Sequence, residues 1–190
     1  QYYHHPSIVI WGLHNEIYTY TNEGYALTKK FNEFVRKADN SRLVTFATCY
    51  FEKDICLEFA DIIAINNYSG WYCEKISDWE RYIADIPKIT AEHNVSGKPV
   101  VLSEFGGAAL AGYSNFSDDK WTMQYQAELI EKVITLAKND DNISGTFVWQ
   151  FADMRSDKDI NRARCFNNKG ILDEYRRPKF SYYTVKKLYS

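Results

Sequence analysis

The stretch Ile8-Val9-Ile10-Trp11-Gly12-Leu13-His14-Asn15-Glu16, residues 8–16, decides the fold class of this chain. Its first part, Ile8–Leu13, is almost continuously apolar and then stops on polar residues. A strand buried on both faces reads this way, whereas a half-solvated strand alternates, so the pattern points to a parallel sheet covered by helices. Four other runs have the same character: Leu43–Thr48, Asp61–Ile65, Pro99–Leu102 and Gly145–Phe151. Between them lie segments with helical period. Leu27, Phe31, Phe34, Val35 and Ala38 share one helical face. Trp79, Tyr82, Ile83 and Ile86 share another, behind the capping pattern Ser77-Asp78-Trp79-Glu80, with Pro87 expected to end or bend that helix. Ile130, Val133, Ile134 and Ala137 mark a third helix, from about Asp118 to Lys138. Pro178 begins a last one along Phe180, Tyr183, Lys187 and Leu188, while the link from Tyr50 to Ala60 is short for a helix. Strand and helix alternate, which makes an α/β chain of parallel strands joined by right-handed crossovers.

Two architectures share that alternation, a doubly wound open sheet and a (β/α) barrel. A doubly wound nucleotide fold carries a glycine-rich turn after its first strand. Here the turn reads Gly12-Leu13-His14-Asn15-Glu16, and no G-x-G-x-x-G or Walker-type loop occurs anywhere. Polar and aromatic residues gather instead at the C-terminal ends of the strands. These are Asn15-Glu16, Asn66-Asn67-Tyr68 with Trp71 and Tyr72, Ser103-Glu104-Phe105-Gly106-Gly107, and Trp149-Gln150-Phe151-Ala152-Asp153. In a barrel that rim is the active face.

Charge excludes some partners. Lys plus Arg number 23 against 25 Asp plus Glu, a net charge of −2 over 190 residues, so there is no electrostatic reason for a nucleic-acid or membrane partner. No apolar run approaches the ~18 residues of a transmembrane helix. Cys49, Cys56, Cys73 and Cys165 form no Cys-x-x-Cys pair and have no histidine at ligand spacing, so free buried thiols and no metal are expected. The aromatic content is high, with Tyr 15, Phe 11 and Trp 5. Such rings either fill a core or line a groove where flat-faced ligands stack.

Two carboxylates, Glu16 and Glu104, leave apolar strands onto the same rim. Burying a carboxylate costs several kcal/mol unless it is paired or hydrogen-bonded. Two set close together take up protons at different pH, so one serves as acid while the other stays anionic. Glycoside hydrolysis needs that pair. Indole faces stack on the C–H faces of pyranose rings, which gives Trp149 and Trp11 a use beyond core filling.

Asn15-Glu16 after an apolar strand, Ser103-Glu104-Phe105-Gly106, Trp149-Gln150-Phe151-Ala152-Asp153, the tail Asn167-Asn168-Lys169-Gly170-Ile171 and Arg177-Pro178-Lys179 together resemble glycoside hydrolase family 2, and within it the glucuronidases. The resemblance runs from His5-Pro6-Ser7 to the last helix. It implies that residues 1–190 are the C-terminal part, about five β/α units, of a catalytic (β/α)₈ TIM barrel, with Gln1 falling just before the strand that carries Glu16. It further implies a retaining mechanism without metal or organic cofactor, with Glu16 as acid/base and Glu104 as nucleophile, their carboxyls ~5–5.5 Å apart. Asn15 would bond the sugar beside the reacting carbon, Tyr68 would donate to the nucleophile, and Tyr72 and Trp149 would line the sugar site. Asn167 and Lys169 would grip the carboxylate of a β-D-glucuronide. The sequence departs from that family's pattern at His14, where a small residue is usual. It departs again at Ala163, where glucuronidases have an arginine; Arg162 and Arg164 flank the position, and either could serve. A neutral-sugar hydrolase such as a β-galactosidase is the alternative within the family. A fragment that only binds sugar, or self-associates as a homo-oligomer to cover open sheet edges, is the alternative outside catalysis. The compartment is left at a cytoplasmic default.

Overall fold

The computed structural model describes residues 2, 4–117, 119–156 and 162–190. Five strands form one sheet: β1 (Ile10–Asn15), β2 (Leu43–Thr48), β3 (Ile62–Asn66), β4 (Val100–Phe105) and β5 (Ile143–Val148). Their order in the sheet is their order in the chain, and β1–β2 and β2–β3 pair in parallel register. A doubly wound sheet reverses its strand order at a switch point, whereas a barrel winds in one direction. The unreversed order therefore decides for five consecutive barrel-type β/α units. The helices are α1 (Asn22–Ala38), α2 (Trp79–Glu92), α3 (Met123–Lys138) and α4 (Phe180–Tyr189), and a short antiparallel pair joins β6 (Met154–Arg155) to β7 (Phe166–Asn167). Among the described residues no helix is long and apolar enough to cross a membrane.

Element ends follow local chemistry. Thr21 and Thr122 cap α1 and α3, each hydroxyl accepting the backbone N–H of Gly24 or Tyr125. The expected start of the third helix at Asp118 lies outside the described residues. Asp78, rather than Ser77, caps the turn before α2 by accepting the N–H of Lys75. Pro87 neither ends nor breaks α2, which runs on to Glu92. The proline forfeits one helix hydrogen bond, and burial of Ile83, Ile86 and Ile89 along the same helix offsets it. The link after β2 holds only two 3₁₀ turns, Phe51–Lys53 and Leu57–Phe59. Strand β4 reaches Phe105, so Glu104 lies within the strand. Strand β5 stops at Val148; Trp149 N–H still reaches Phe105 O at the end of β4, but beyond it the backbone pairs elsewhere, Gln150 N–H donating to Lys169 O and Ile171 N–H to Gln150 O.

The chain divides into two compact units. The first comprises Gln1–Asn66, Ala84–Ser103 and Asn142–Gly145. Its core is Val44, Phe46, Ile63, Ile65, Ile86, Val100 and Leu102. Helix α1 in this unit does not bury the expected Leu27/Phe31/Phe34 face; Phe34 is 71% exposed. It docks through its small residues Gly24 and Thr28, and a Cβ on Gly24 would sit 2.1 Å from the Tyr18 carbonyl oxygen. Val9, Ile10 and Leu43 are exposed as well. The second unit comprises Asn67–Ile83, Glu104–Asp141 and Thr146–Ser190. Trp79, Phe105, Leu129, Ile130, Val133 and Ile134 fill its core, with Trp79 edge-on to Phe105 and its indole N–H donating to Ser69 O. All four cysteines are free, but only Cys56 is buried; Cys49 and Cys73 are exposed, contrary to the expectation of buried thiols.

Candidate active site

In the first unit, strand β1 ends on Asn15 and its pairing with β2 slips between Gly12 and Asn15. Such an irregularity re-aims the side chains that follow it. Glu16 takes a left-handed backbone (φ 55°), with its N–H donating to Ala47 O at 2.9 Å. Asn66, buried at the end of β3, donates from Nδ2 to Asn15 Oδ1 (3.1 Å) and to Glu16 Oε1 (2.9 Å). Its Oδ1 accepts from Ser103 Oγ at 2.7 Å. Both ends of one buried amide are thus used to orient the Asn-Glu pair. The sequence places Asn66 and Ser103 on the strand-end rim but assigns them no role; their signal is a polar side chain interrupting an otherwise buried strand end.

His14 lies under this group rather than on it. Its ring packs on Phe46 with centroids 4.7 Å apart, and Nε2 meets Thr28 Oγ1 at 3.0 Å. The Thr28 proton is committed to Gly24 O, so Nε2 is the donor and Nδ1 is left without a hydrogen-bond partner. Burial lowers the imidazole pKa to about 4. The folded state therefore binds its proton later than the unfolded chain does, and stability falls as pH drops from about 6.5 towards about 4. Partial solvation limits the loss to on the order of 1–2 kcal/mol. Urea unfolding of the intact protein across that window will show it. A His14→Gln variant with an equally steep pH slope would locate the effect elsewhere. Trp11 is also kept off the rim: its indole N–H donates to Asp39 at 2.8 Å and Arg42 lies over its ring.

In the second unit, Tyr68 donates its phenol proton to Glu104 Oε2 at 2.7 Å. Gly106 follows with φ 145°, and a Cβ there would fall 2.7 Å from the Trp149 carbonyl oxygen. Only glycine permits that approach, which is reinforced by Trp149 N–H donating to Phe105 O at 3.0 Å. Trp149 is therefore fixed at the strand end that bears Glu104; the Trp149–Gln150 peptide is cis. Lys169 is 1% exposed, with its ammonium donating to the Tyr72 hydroxyl at 2.6 Å. The rings of Tyr72, Tyr68 and Trp71 surround it, with centroids at 4.6, 5.4 and 5.8 Å. Among the described residues Lys169 forms no ion pair, an uncommon state for a buried lysine. Burial pulls its pKa below the usual lysine value, against the opposing Tyr72 oxygen and Glu104 charge. Burial acts to raise the Tyr72 phenol, but Lys169 and Arg162 outweigh it and the net direction is down. Asn167 Oδ1 accepts the Lys169 N–H at 3.3 Å, and Arg162 reaches the Tyr72 hydroxyl at 3.4 Å. Arg164 is not gathered into this set. It pairs with Glu174 at 2.9 Å and lies over Phe166.

The loop carrying Lys169 rests on a buried ion pair. Lys179 Nζ donates to Asp153 Oδ1 (2.8 Å), Ala109 O (2.6 Å) and Asn168 O (3.0 Å), with both side chains of the pair fully buried. Asp153 also accepts from Gly170 N–H (2.9 Å) and Asn168 Nδ2 (3.1 Å). The residues on both sides of Lys169 are tied to one charge pair. Removing one partner leaves an uncompensated buried charge, so Asp153→Ala is expected to cost about 3–5 kcal/mol in urea unfolding. The double change with Lys179→Met should cost less than the two single changes summed, and strict additivity would mean the two charges do not act as a pair.

Comparison with known proteins follows the same lines. Residues 2–190 match the family described as glycosyl hydrolases family 2, TIM barrel domain. A β-glucuronidase of Paenibacillus borealis is 30% identical over 92% of this chain, and one of Sus scrofa is 28% identical over 97%. The chain spans 29% of the length of each. Among solved structures, a family 2 β-galacturonidase from Eisenbergiella tayi, bound to galacturonate, superposes with a TM-score of 0.94 at 36% identity over 99% of this chain and 34% of that one. A β-D-glucuronidase of Dictyoglomus thermophilum gives 0.89 at 26% over 98% of this chain and 32% of that one. With five β/α units wound in barrel order and a match over residues 2–190, the chain belongs to glycoside hydrolase family 2, within its TIM-barrel domain.

Proposed function

We propose that these are the C-terminal five units of the barrel of a retaining glycosidase acting on β-D-uronides, with β-D-glucuronides as the first reading. The observation that carries the uronide assignment is Lys169: a buried ammonium in an aromatic box, with a neutral phenol where an anion belongs. A sugar carboxylate would take over the hydrogen bond that the Tyr72 hydroxyl now accepts, with Asn167 and Arg162 at its margin. A site built this way rejects a neutral galactoside, because binding it leaves the lysine unpaired.

In the proposed reaction Glu104 attacks the anomeric carbon as the glycosidic C–O bond breaks, and Glu16 gives its proton to the leaving oxygen. The glycosyl-enzyme ester is then opened by water, whose proton returns to Glu16. Tyr68 holds the Glu104 carboxylate in line, and Asn66 holds Glu16. The exposed apolar side chains Val9 and Ile10, at the start of the end strand β1, support reading the chain as part of a larger barrel.

A second reading, a β-D-galacturonidase, is favoured by the higher identity and TM-score to the Eisenbergiella tayi enzyme. The two sugars are C4 epimers with the same carboxylate, so Lys169 serves either. Rates of the intact protein on nitrophenyl β-D-glucuronide, β-D-galacturonide and β-D-galactoside separate the cases. A uronide must be preferred over the galactoside; the reverse order overturns the assignment, and hydrolysis of none of them leaves only a sugar-binding role.

A further inference from the structure

The segment after Glu16 gathers an exposed group of tyrosines that the reaction as described leaves unused. Its organiser is Thr19, fully buried, whose hydroxyl donates to Asp54 Oδ2 at 2.6 Å and lies 3.3 Å from Thr48 Oγ1. The Thr19 carbonyl accepts from Ile55 N–H at 3.1 Å, and Asp54, itself buried, also takes the Cys56 N–H at 2.7 Å. Two tight turns, Thr19 N–H to Ile17 O and Thr21 N–H to Tyr18 O, fold the chain around this pin. The neighbours of Thr19 are turned outward as a result. Tyr18 is 64% and Tyr20 39% exposed, and both meet Tyr50 from the end of β2, at centroid distances of 6.1 and 4.7 Å. Lys53 Nζ sits 4.2 Å from the Tyr20 ring centroid and 5.3 Å from that of Tyr50. Among the described residues Lys53 has no ion-pair partner. A fully buried Thr–Asp–Thr network thus holds a set of open aromatic rings beside the Asn-Glu pair in sequence.

We infer that Tyr18, Tyr20, Tyr50 and Lys53 form the subsite for the leaving group, and that this leaving group is itself a pyranose. The inference rests on the reading of Glu16 as acid/base. The group that receives its proton departs on the Glu16 side, and whatever is attached to that oxygen must lie against the surface next to Glu16. Tyr18 offers an open ring to the apolar C–H face of a sugar, supported from the side by Tyr20 and Tyr50. The same cluster carries phenol hydroxyls and, over the Tyr20 and Tyr50 rings, the Lys53 ammonium; these are hydrogen-bonding groups that a sugar's hydroxyls can use and a flat hydrocarbon aglycone cannot.

The test compares a uronosyl-β-linked disaccharide with the corresponding β-uronosyl fluoride, whose leaving group has no ring to bind. The readout is the ratio of the two kcat/KM values in the intact protein. Tyr18→Ala should lower that ratio about tenfold, the equivalent of one lost ring contact, and Tyr18→Phe should restore it to within about threefold. Lys53→Ala should lower it by a smaller factor. Tyr18 is largely exposed, so its truncation opens no core cavity, and a melting curve checks this. An unchanged ratio overturns the inference. A loss confined to nitrophenyl uronides overturns the sugar assignment in favour of aromatic aglycones. If the unaltered protein leaves the fluoride intact, the glycosidase reading itself has failed, a result distinct from either.

Discussion

Changing Glu104 to Gln in the intact protein lowers turnover of a nitrophenyl β-D-uronide by roughly 10⁴-fold or more, while substrate affinity shifts by less than about tenfold. The amide keeps the shape of the carboxylate and an oxygen to accept the Tyr68 phenol at its present position, 2.7 Å from Oε2. What it loses is the charge and nucleophilicity that form the ester at the anomeric carbon. The two carboxylates are then told apart by an added nucleophile. In Glu104→Ala, azide enters the space left by the side chain, forms the C–N bond as the C–O bond breaks, and Glu16 protonates the aglycone. The product is the α-uronosyl azide. In Glu16→Ala the ester still forms from a substrate with a good leaving group, and azide opens it from the other face to give the β-azide. Interchanged stereochemistry would exchange the two roles, and turnover above about 1% in Glu104→Gln would remove Glu104 as nucleophile.

The parts of this molecule legible in the sequence are those whose physics is local. Parallel strands buried on both faces announce themselves as near-continuous apolar runs, and β2 occupies Leu43–Thr48, the bounds that run predicts. The boundaries drift where function intrudes: Ser103 and Glu104 are polar yet still in the β4 ladder, so apolarity ends before the strand does. The buried face of α1 differs from the one its periodicity predicts, because periodicity weighs side-chain size, whereas the docking face is set by how closely backbones approach, through Gly24 and Thr28. The Asn15-Glu16 and Glu104 pieces are short motifs and were readable. Tyr68 against Glu104 came with the family resemblance and is found there. The other supports are not readable, because each bond closes a long loop: Asn66 to Glu16 spans 50 residues, and Lys179 to Asp153, beneath the Lys169 loop, spans 26. Nothing in a single chain's periodicity marks such pairs before the sheet brings them together.

Lys169→Ala lowers kcat/KM for a β-D-uronide by roughly 10²–10³-fold relative to the matching neutral glycoside. A charge-assisted hydrogen bond in a water-poor box contributes more than one at the surface, and the carboxylate left behind would be stripped of water with no cation to meet it. Lys169→Met separates charge from packing, since it keeps the aliphatic stem against Tyr68, Trp71 and Tyr72 and removes only the ammonium. It should lose nearly as much uronide preference as the alanine variant. Lys169→Arg should rescue poorly, because a planar fork does not fit a box whose three ring centroids lie 4.6–5.8 Å from one point. The pH profile gives an independent sign. Burial lowers the Lys169 pKa, so the cation that binds the uronide is lost at a pH below the ordinary lysine range. Uronide kcat/KM should therefore fall on the alkaline side earlier than a solvated lysine would allow, and that limb should vanish in Lys169→Met. An alkaline limb that survives the substitution belongs to another group. A ratio of uronide to neutral glycoside that the alanine variant leaves unmoved would mean that the buried ammonium serves only to hold Tyr72.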